Sequence, residues 1–331
     1  MILSDTLLRQ TRIRFPSFEG EQVRILPIEK GGSDRKFYRI QFSAEQTILL
    51  LKYTGEHSEN QRYVEIAEFL AAHGIHSAKI YFHDPTEGLI WLEDLGERDL
   101  WSYRDESWPL RRPLYESAIE EIAKLHRVSA VDSAEIRRDL PAQFDAALYL
   151  WEQHYFFDQC LGRLFGVAEA MLRELAALPA LHAIAERLAG FPRILVHRDF
   201  QSQNIIVRED EAYLIDFQGM RPGLAEYDFA SLLYDPYVKL GPAERAELTA
   251  FYQTQAELND PGFTEKLQLC AMQRLMQALG AYAYLGLVRG NKAFLEHVPA
   301  ALHSLGAIVA EIDGVAPLRV LLGDLSPMRE M

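Results

Sequence analysis

Apolar and polar positions follow two different periods along the chain. From Glu21 to about Leu92 the pattern is strand-like and broken by turns. Gln22–Ile28 sets Val23, Ile25 and Pro27 against polar partners, and Lys36–Phe42 alternates through Phe37-Tyr38-Arg39-Ile40. Thr47–Tyr53 is a continuous apolar run interrupted only by Lys52 near its end. Gly31-Gly32-Ser33-Asp34 predicts a hairpin turn between the first two strands. Tyr63, Ile66, Ala67 and Leu70 then share one face of a helix that Gly74 would stop. Short strands over Lys79–Phe82 and Gly88–Leu92, with Asp84-Pro85 turning between them, complete a small α+β unit.

Past Gly96 the period becomes helical. Leu110, Leu114, Ala118, Ile122 and Leu125 recur every three or four residues, as one core-facing helix requires. Ala142–Phe157 and Val167–Ala189 read the same way, and helices run from about Ala225 to the end. Strand texture returns briefly at Arg193–Val196, Asn204–Val207 and Ala212–Phe217. With no internal repeat and no low-complexity linker, the two halves should join through the short Glu93–Gly96 stretch and pack closely.

Composition narrows the function classes. A chain of 331 residues, 49% apolar and 25% charged, is that of an ordinary globular protein of one large or two packed units. Forty-eight acidic side chains against 34 basic give a net charge of −14, which argues against a nucleic-acid partner. Cys160 and Cys270 lack metal-ligand spacing and read as free thiols of a reducing compartment. The N-terminus lacks the layout of a signal peptide, and runs such as Ala278–Val288 fall short of the ~20 residues of a membrane span. The expectation is a cytoplasmic protein with no membrane partner and a small-molecule substrate.

The chemistry is carried by the short strands within the helical half. His197-Arg198-Asp199-Phe200-Gln201-Ser202-Gln203-Asn204 lies between the apolar runs Ile194-Leu195-Val196 and Ile205-Ile206-Val207. Asp216 closes the next run, Tyr213-Leu214-Ile215. Asp199, Asn204 and Asp216 are thus expected at the ends of short neighbouring strands, where they can converge. Phosphoryl transfer as protein kinases perform it uses these residue types: a carboxylate to orient the attacking hydroxyl, and an amide oxygen and second carboxylate to hold a metal on the phosphates. One such Asp alone would read as a turn former or helix cap. The joint spacing is what points to catalysis.

His197-x-Asp199-x4-Asn204 with Ile215-Asp216-Phe217 resembles the aminoglycoside phosphotransferase and choline kinase-like superfamily. Leu92-Glu93-Asp94-Leu95-Gly96, Asp216-Phe217-Gln218, Tyr227-Asp228-Phe229 and Arg274–Tyr282 are similar, more narrowly, to bacterial kinases of the anomeric hydroxyl of N-acetylmuramate and N-acetylglucosamine. The resemblance implies a bilobal, protein kinase-like α+β fold. A small antiparallel N-lobe with one helix would span residues 1–92, a hinge 93–100, and a larger, mostly helical C-lobe 101–331. It implies ATP and Mg²⁺ as cofactors, Asp199 as base, and Asn204 and Asp216 as metal ligands.

Further roles come with the same resemblance. Gly31, Gly32 and Ser33 would cradle phosphates, although a double glycine also suits an ordinary turn. Lys52 would contact the α- and β-phosphates, unless it faces solvent at a strand end. Glu93 and Leu95 would meet the adenine, or merely connect the lobes. Asp228 would take hydrogen bonds from the catalytic loop, or simply favour a helix N-terminus. His197 is read as structural. An aminoglycoside or choline/ethanolamine kinase is the alternative within the enzyme class, and a non-catalytic nucleotide-binding protein the alternative outside it.

Overall fold

The structure, a computed structural model, describes residues 2–16, 23–28, 35–43, 46–54, 62–257 and 260–325. Five antiparallel strands, β1 (Arg24–Ile28), β2 (Lys36–Gln41), β3 (Thr47–Lys52), β4 (Ile80–Asp84) and β5 (Leu89–Glu93), make a sheet of order β1-β2-β3-β5-β4. The register pairs Tyr38 with Leu50, Phe37 with Leu51, Leu50 with Trp91 and Leu51 with Ile90. Because side chains alternate between faces, this register sorts the strands into two apolar layers.

One layer joins Ile40, Ile48, Leu50, Leu89 and Trp91 to Leu7. Leu7 belongs to helix α1 (Ile2–Arg14), which closes the outer face of the sheet and is an N-lobe helix beyond the single one expected. Trp91 Nε1 donates to Thr11 Oγ1 of that helix at 2.9 Å, so a polar tip buried with the ring is satisfied. The other layer joins Leu51, Ile90 and Leu92 to Tyr63, Ile66 and Leu70 of helix α2 (Tyr63–Ala72) and to the C-lobe core. The face expected for α2 is the buried one, and Gly74 beyond it has φ +66°, a left-handed stop.

The C-lobe is helical. α3 (Trp108–Arg127) buries Leu114, Ala118, Ile122 and Leu125, while Leu110 is 62% exposed. α4 (Ala146–Tyr155) continues into a π-helical segment, Phe156–Leu164. The single helix expected over Val167–Ala189 is two, α5 (Glu169–Ala176) and α6 (Pro179–Ala189), because Leu178 before Pro179 is extended, as a residue preceding proline prefers, and Pro179 opens the second helix. Strand β6 (Ile194–Val196) pairs with β9 (Arg221–Gly223), and β7 (Ile205–Arg208) with β8 (Glu211–Leu214). Helices α7 (Ala225–Leu233), α8 (Pro242–Gln255), α9 (Phe263–Leu287), α10 (Val298–Ala310) and α11 (Ala316–Leu325) follow. On α9, a Cβ at Gly280 would lie 2.7 Å from the ring of Tyr155 and 3.0 Å from its carbonyl oxygen. Only glycine lets these two backbones approach so closely.

Candidate active site

Three loops bring the expected trio together. Asp199 follows β6, Asn204 immediately precedes β7, and Asp216 follows β8. β6 is not a ladder neighbour of β7, as the two belong to separate two-stranded sheets, β6-β9 and β7-β8. Contacts between the loops replace that missing ladder. Asn204 Nδ2 donates to the Asp199 carbonyl at 2.9 Å, and the Ile215 amide donates to the Asn204 carbonyl at 3.0 Å.

Beneath the loop lies a buried carboxylate. Asp228 of α7, fully buried, takes the amide of His197 on Oδ2 at 2.6 Å and that of Arg198 on Oδ1 at 2.7 Å. His126 Nε2 lies 3.2 Å from the same carboxylate, and its Nδ1 lies 2.7 Å from Tyr252 Oη. Arg198 is thereby held at φ +81°, a left-handed conformation that costs a non-glycine residue about 1–2 kcal/mol. The imidazole of His197 faces the Ile215 carbonyl at 3.0 Å, which ties the loop before Asp199 to the segment before Asp216. Asp235 supports the loop's far side by accepting from the Ser202 amide at 2.8 Å.

Asp199 stands among cations. Burial alone would raise its carboxyl, but Arg198, Arg274, His197 and Arg221 outweigh it and hold the group below the ordinary carboxylate range. Arg274 of α9 is nearest, with Nη2 3.3 Å from Asp199 Oδ1. That guanidinium is fixed by Ser231 Oγ at 2.8 Å, Gln201 Oε1 at 3.1 Å and the side chain of Gln277. About a third of the Asp199 side chain, 32%, stays exposed to the cleft. A charged, partly open carboxylate can orient a hydroxyl and accept its proton.

Asp216 has φ +63°, a conformation that aspartate tolerates better than most residues. Its Oδ1 takes Gln218 Nε2 at 2.6 Å and Arg35 Nη2 at 2.7 Å. The donor set of Asn204 Oδ1 and the Asp216 carboxylate is all oxygen, the kind Mg²⁺ prefers. Since Asn204 spends its Nδ2 on the Asp199 carbonyl, its oxygen is left to accept or to coordinate. The residues fit a metal held by one or two protein oxygens together with substrate phosphates.

The remaining expected contacts are less closely gathered. Gly31, Gly32 and Ser33 lie outside the described residues. Lys52 sits opposite Lys36 and Leu89 in the ladder. Ile48 and Leu50, which share its alternation, pack into the α1 layer. The register therefore turns Lys52 away from the face that carries Phe37 and Leu51 and does not bring it to Asp216. Glu93 spends its amide on the Lys79 carbonyl at 2.8 Å and its carboxylate on Arg208 at 2.7 Å. Leu95 is buried beside it. A cavity of about 390 Å³ opens at this hinge, with Leu26, Arg39, Thr47, Asp94 and Gly96 in its lining.

Glu152 of α4 was not foreseen. Fully buried, it takes the Tyr227 hydroxyl on Oε1 at 2.7 Å, and among the described residues nothing bonds its Oε2. Burial pushes its carboxyl up to about 7, although the Tyr227 bond, Arg198 and Arg274 favour the charged form. The folded chain thus holds this proton more tightly than the unfolded chain, whose ordinary value is 4.5. Stability should fall as pH rises from 4.5 towards 7 and level off above, by roughly 3 kcal/mol at ~1.36 kcal/mol per unit. Glu152→Gln keeps an acceptor for Tyr227 without the ionisation. Its urea midpoint should exceed the parent's at pH 8 by clearly more than at pH 5. An equal difference at the two pH values would show that Glu152 ionises normally.

Comparisons with known proteins give the chain's family and fold. The family model of the phosphotransferase enzyme family matches residues 24–265. An N-acetylmuramate/N-acetylglucosamine kinase of Pseudomonas aeruginosa is 26% identical over 310 residues, covering 91% of this chain and 88% of that protein. A kinase of the same description from Caulobacter vibrioides is 27% identical over 248 residues, 72% of this chain and 67% of that one. Among solved structures, an ADP-bound aminoglycoside phosphotransferase superposes with TM-score 0.61 at 16% identity, over 90% of this chain and 98% of that chain. Choline kinase from Cryptosporidium parvum gives TM-score 0.57 at 14% identity, over 95% and 99%. These likenesses show a two-lobed protein kinase-like fold. The chain belongs to the phosphotransferase enzyme family and is a kinase of hydroxyl acceptors.

Proposed function

We propose that this kinase transfers the γ-phosphoryl group of ATP, with Mg²⁺, to the anomeric hydroxyl of an amino sugar of the N-acetylmuramate/N-acetylglucosamine kind. The observation that carries the acceptor class is the ring of guanidiniums about Asp199. With Arg274 at 3.3 Å and Arg198 and Arg221 close enough to lower its carboxyl, the acceptor side favours a neutral or anionic sugar over a polycation. The curated relatives, named as kinases of these two sugars, support the same reading.

In this reading Asp199 holds the sugar hydroxyl in line with the γ-phosphorus. The new bond from sugar oxygen to phosphorus forms as the bond to ADP opens, and the hydroxyl proton passes to Asp199. Asn204 and Asp216 would hold the Mg²⁺, which when bound would offset the charge on the phosphate oxygens. The hinge cavity beside Asp94 and Gly96 would take the base.

A choline or ethanolamine kinase remains the second reading because Tyr237 lies against Tyr282, with centroids 5.8 Å apart, and against His297 at 4.4 Å. Aromatic faces of this kind can hold an ammonium. A transfer screen over N-acetylmuramate, N-acetylglucosamine, kanamycin and choline, read by phosphorus NMR, distinguishes the two. The expected product is a sugar 1-phosphate. A 6-phosphate, or turnover of kanamycin or choline with both sugars inert, would move the chain to another branch of its family.

A further inference from the structure

A cleft that binds a nucleoside triphosphate needs a fixed cation inside it, and the N-lobe sheet offers two candidates. Lys52 is on β3, but its alternation is that of Ile48 and Leu50, whose layer is closed by Leu7 and Trp91 on the outer side. One residue away, Leu51 and its partner Phe37 face α2 and the C-lobe core. A strand register fixes this choice, since reversing it would carry every buried side chain of β3 to the wrong face.

Arg35 is the other candidate. It lies just before β2 and is placed by its own contact rather than by strand alternation. Its side chain is only 9% exposed, and Nη2 reaches across the cleft to Asp216 Oδ1 at 2.7 Å. The pair joins the two lobes at the carboxylate expected to hold the metal, which is where the phosphates of a bound nucleotide must lie. A guanidinium fork also suits two phosphate oxygens at once, which an ammonium cannot match.

We propose that Arg35, and not Lys52, is the cation this cleft presents to the polyphosphate of a nucleoside triphosphate, and that it exchanges its pair with Asp216 for phosphate oxygens on binding. The inference rests on the kinase reading above. It has a second consequence, because Arg35 and Mg²⁺ then compete for one carboxylate. Removing the guanidinium should weaken nucleotide binding while lowering the Mg²⁺ concentration that supports it.

Equilibrium binding of a fluorescent ATP analogue, titrated at several Mg²⁺ concentrations, tests this without turnover. Arg35→Gln should raise the dissociation constant by roughly ten- to hundredfold, the range of a lost charge-assisted contact. Arg35→Lys should recover part of the loss, and Lys52→Gln should stay within about twofold of the parent. Urea midpoints show which variants are folded; if Arg35→Gln is not, Arg35→Lys decides, and parental affinity there overturns the proposal. So does a folded Arg35→Gln that binds like the parent, or a tenfold loss in Lys52→Gln. A parent that binds no nucleotide overturns the kinase reading with it, so the two failures are distinguishable.

Discussion

Removing the Asp216 carboxylate is expected to abolish transfer while leaving the fold intact. If Asp216 and Asn204 hold the metal, the lost transition-state stabilisation amounts to several kcal/mol, or about three to four orders of magnitude in turnover. The choice of variant matters because Asp216 sits at φ +63° and ψ +31°. Alanine there costs about 1–2 kcal/mol of backbone strain, whereas asparagine tolerates this region. Asp216→Asn also keeps an acceptor for Gln218 Nε2 and removes only the charge. The pair with Arg35 is lost as well, so the urea midpoint should be read beside the rate. Near-parental turnover of Asp216→Asn or Asp216→Ala at saturating Mg²⁺ would remove Asp216 from the metal site.

The parts of the site that lie close in sequence were legible there. Asp199 and Asn204 share one loop, and Asp216 ends the next hairpin, so local spacing was enough to bring the three to neighbouring loops. The helix face of Tyr63, Ile66, Ala67 and Leu70 was legible for a similar reason, since one face is buried and the other is not. Thr47–Tyr53 shows the opposite case. Both faces of β3 pack against apolar layers, so its sequence is a continuous run with no alternation to say where Lys52 points. Only the register with β2 and β5 settles its face.

Other contributions come from far along the chain. Arg35 is 181 residues from Asp216, and Arg274 is 73 from Gln201. Nothing in local periodicity signals such pairings. The usable hints were an arginine flanking a glycine-rich turn and an arginine within the wholly buried stretch Leu269–Met276 of a helix. Helix α1 was missed because its 13 residues are mostly polar and, among the described side chains, Leu7 and Thr11 are the ones fully buried against the sheet.

Asp199→Asn should lower the turnover number by ~10²–10⁴-fold, the range of general-base assistance, with little change in nucleotide affinity. The amide keeps the shape and can still bond the acceptor hydroxyl, but it has neither the charge nor the basicity to take the proton. Positioning by the rest of the site would sustain the residual rate. The fold should tolerate the change, because Arg274 retains Ser231, Gln201 and Gln277 when its carboxylate neighbour is neutralised. The pH profile gives a second readout. Arg198, Arg274, His197 and Arg221 keep the Asp199 carboxyl below its ordinary 3.8 despite its burial, so the base is already ionised throughout the neutral range. An acidic limb near pH 7 in the parent therefore cannot come from Asp199, and should vanish in Glu152→Gln, whose parent carboxyl is pushed up to about 7. If that limb instead survives in Glu152→Gln and disappears in Asp199→Asn, Asp199 is not the ionised base that its cationic surroundings require.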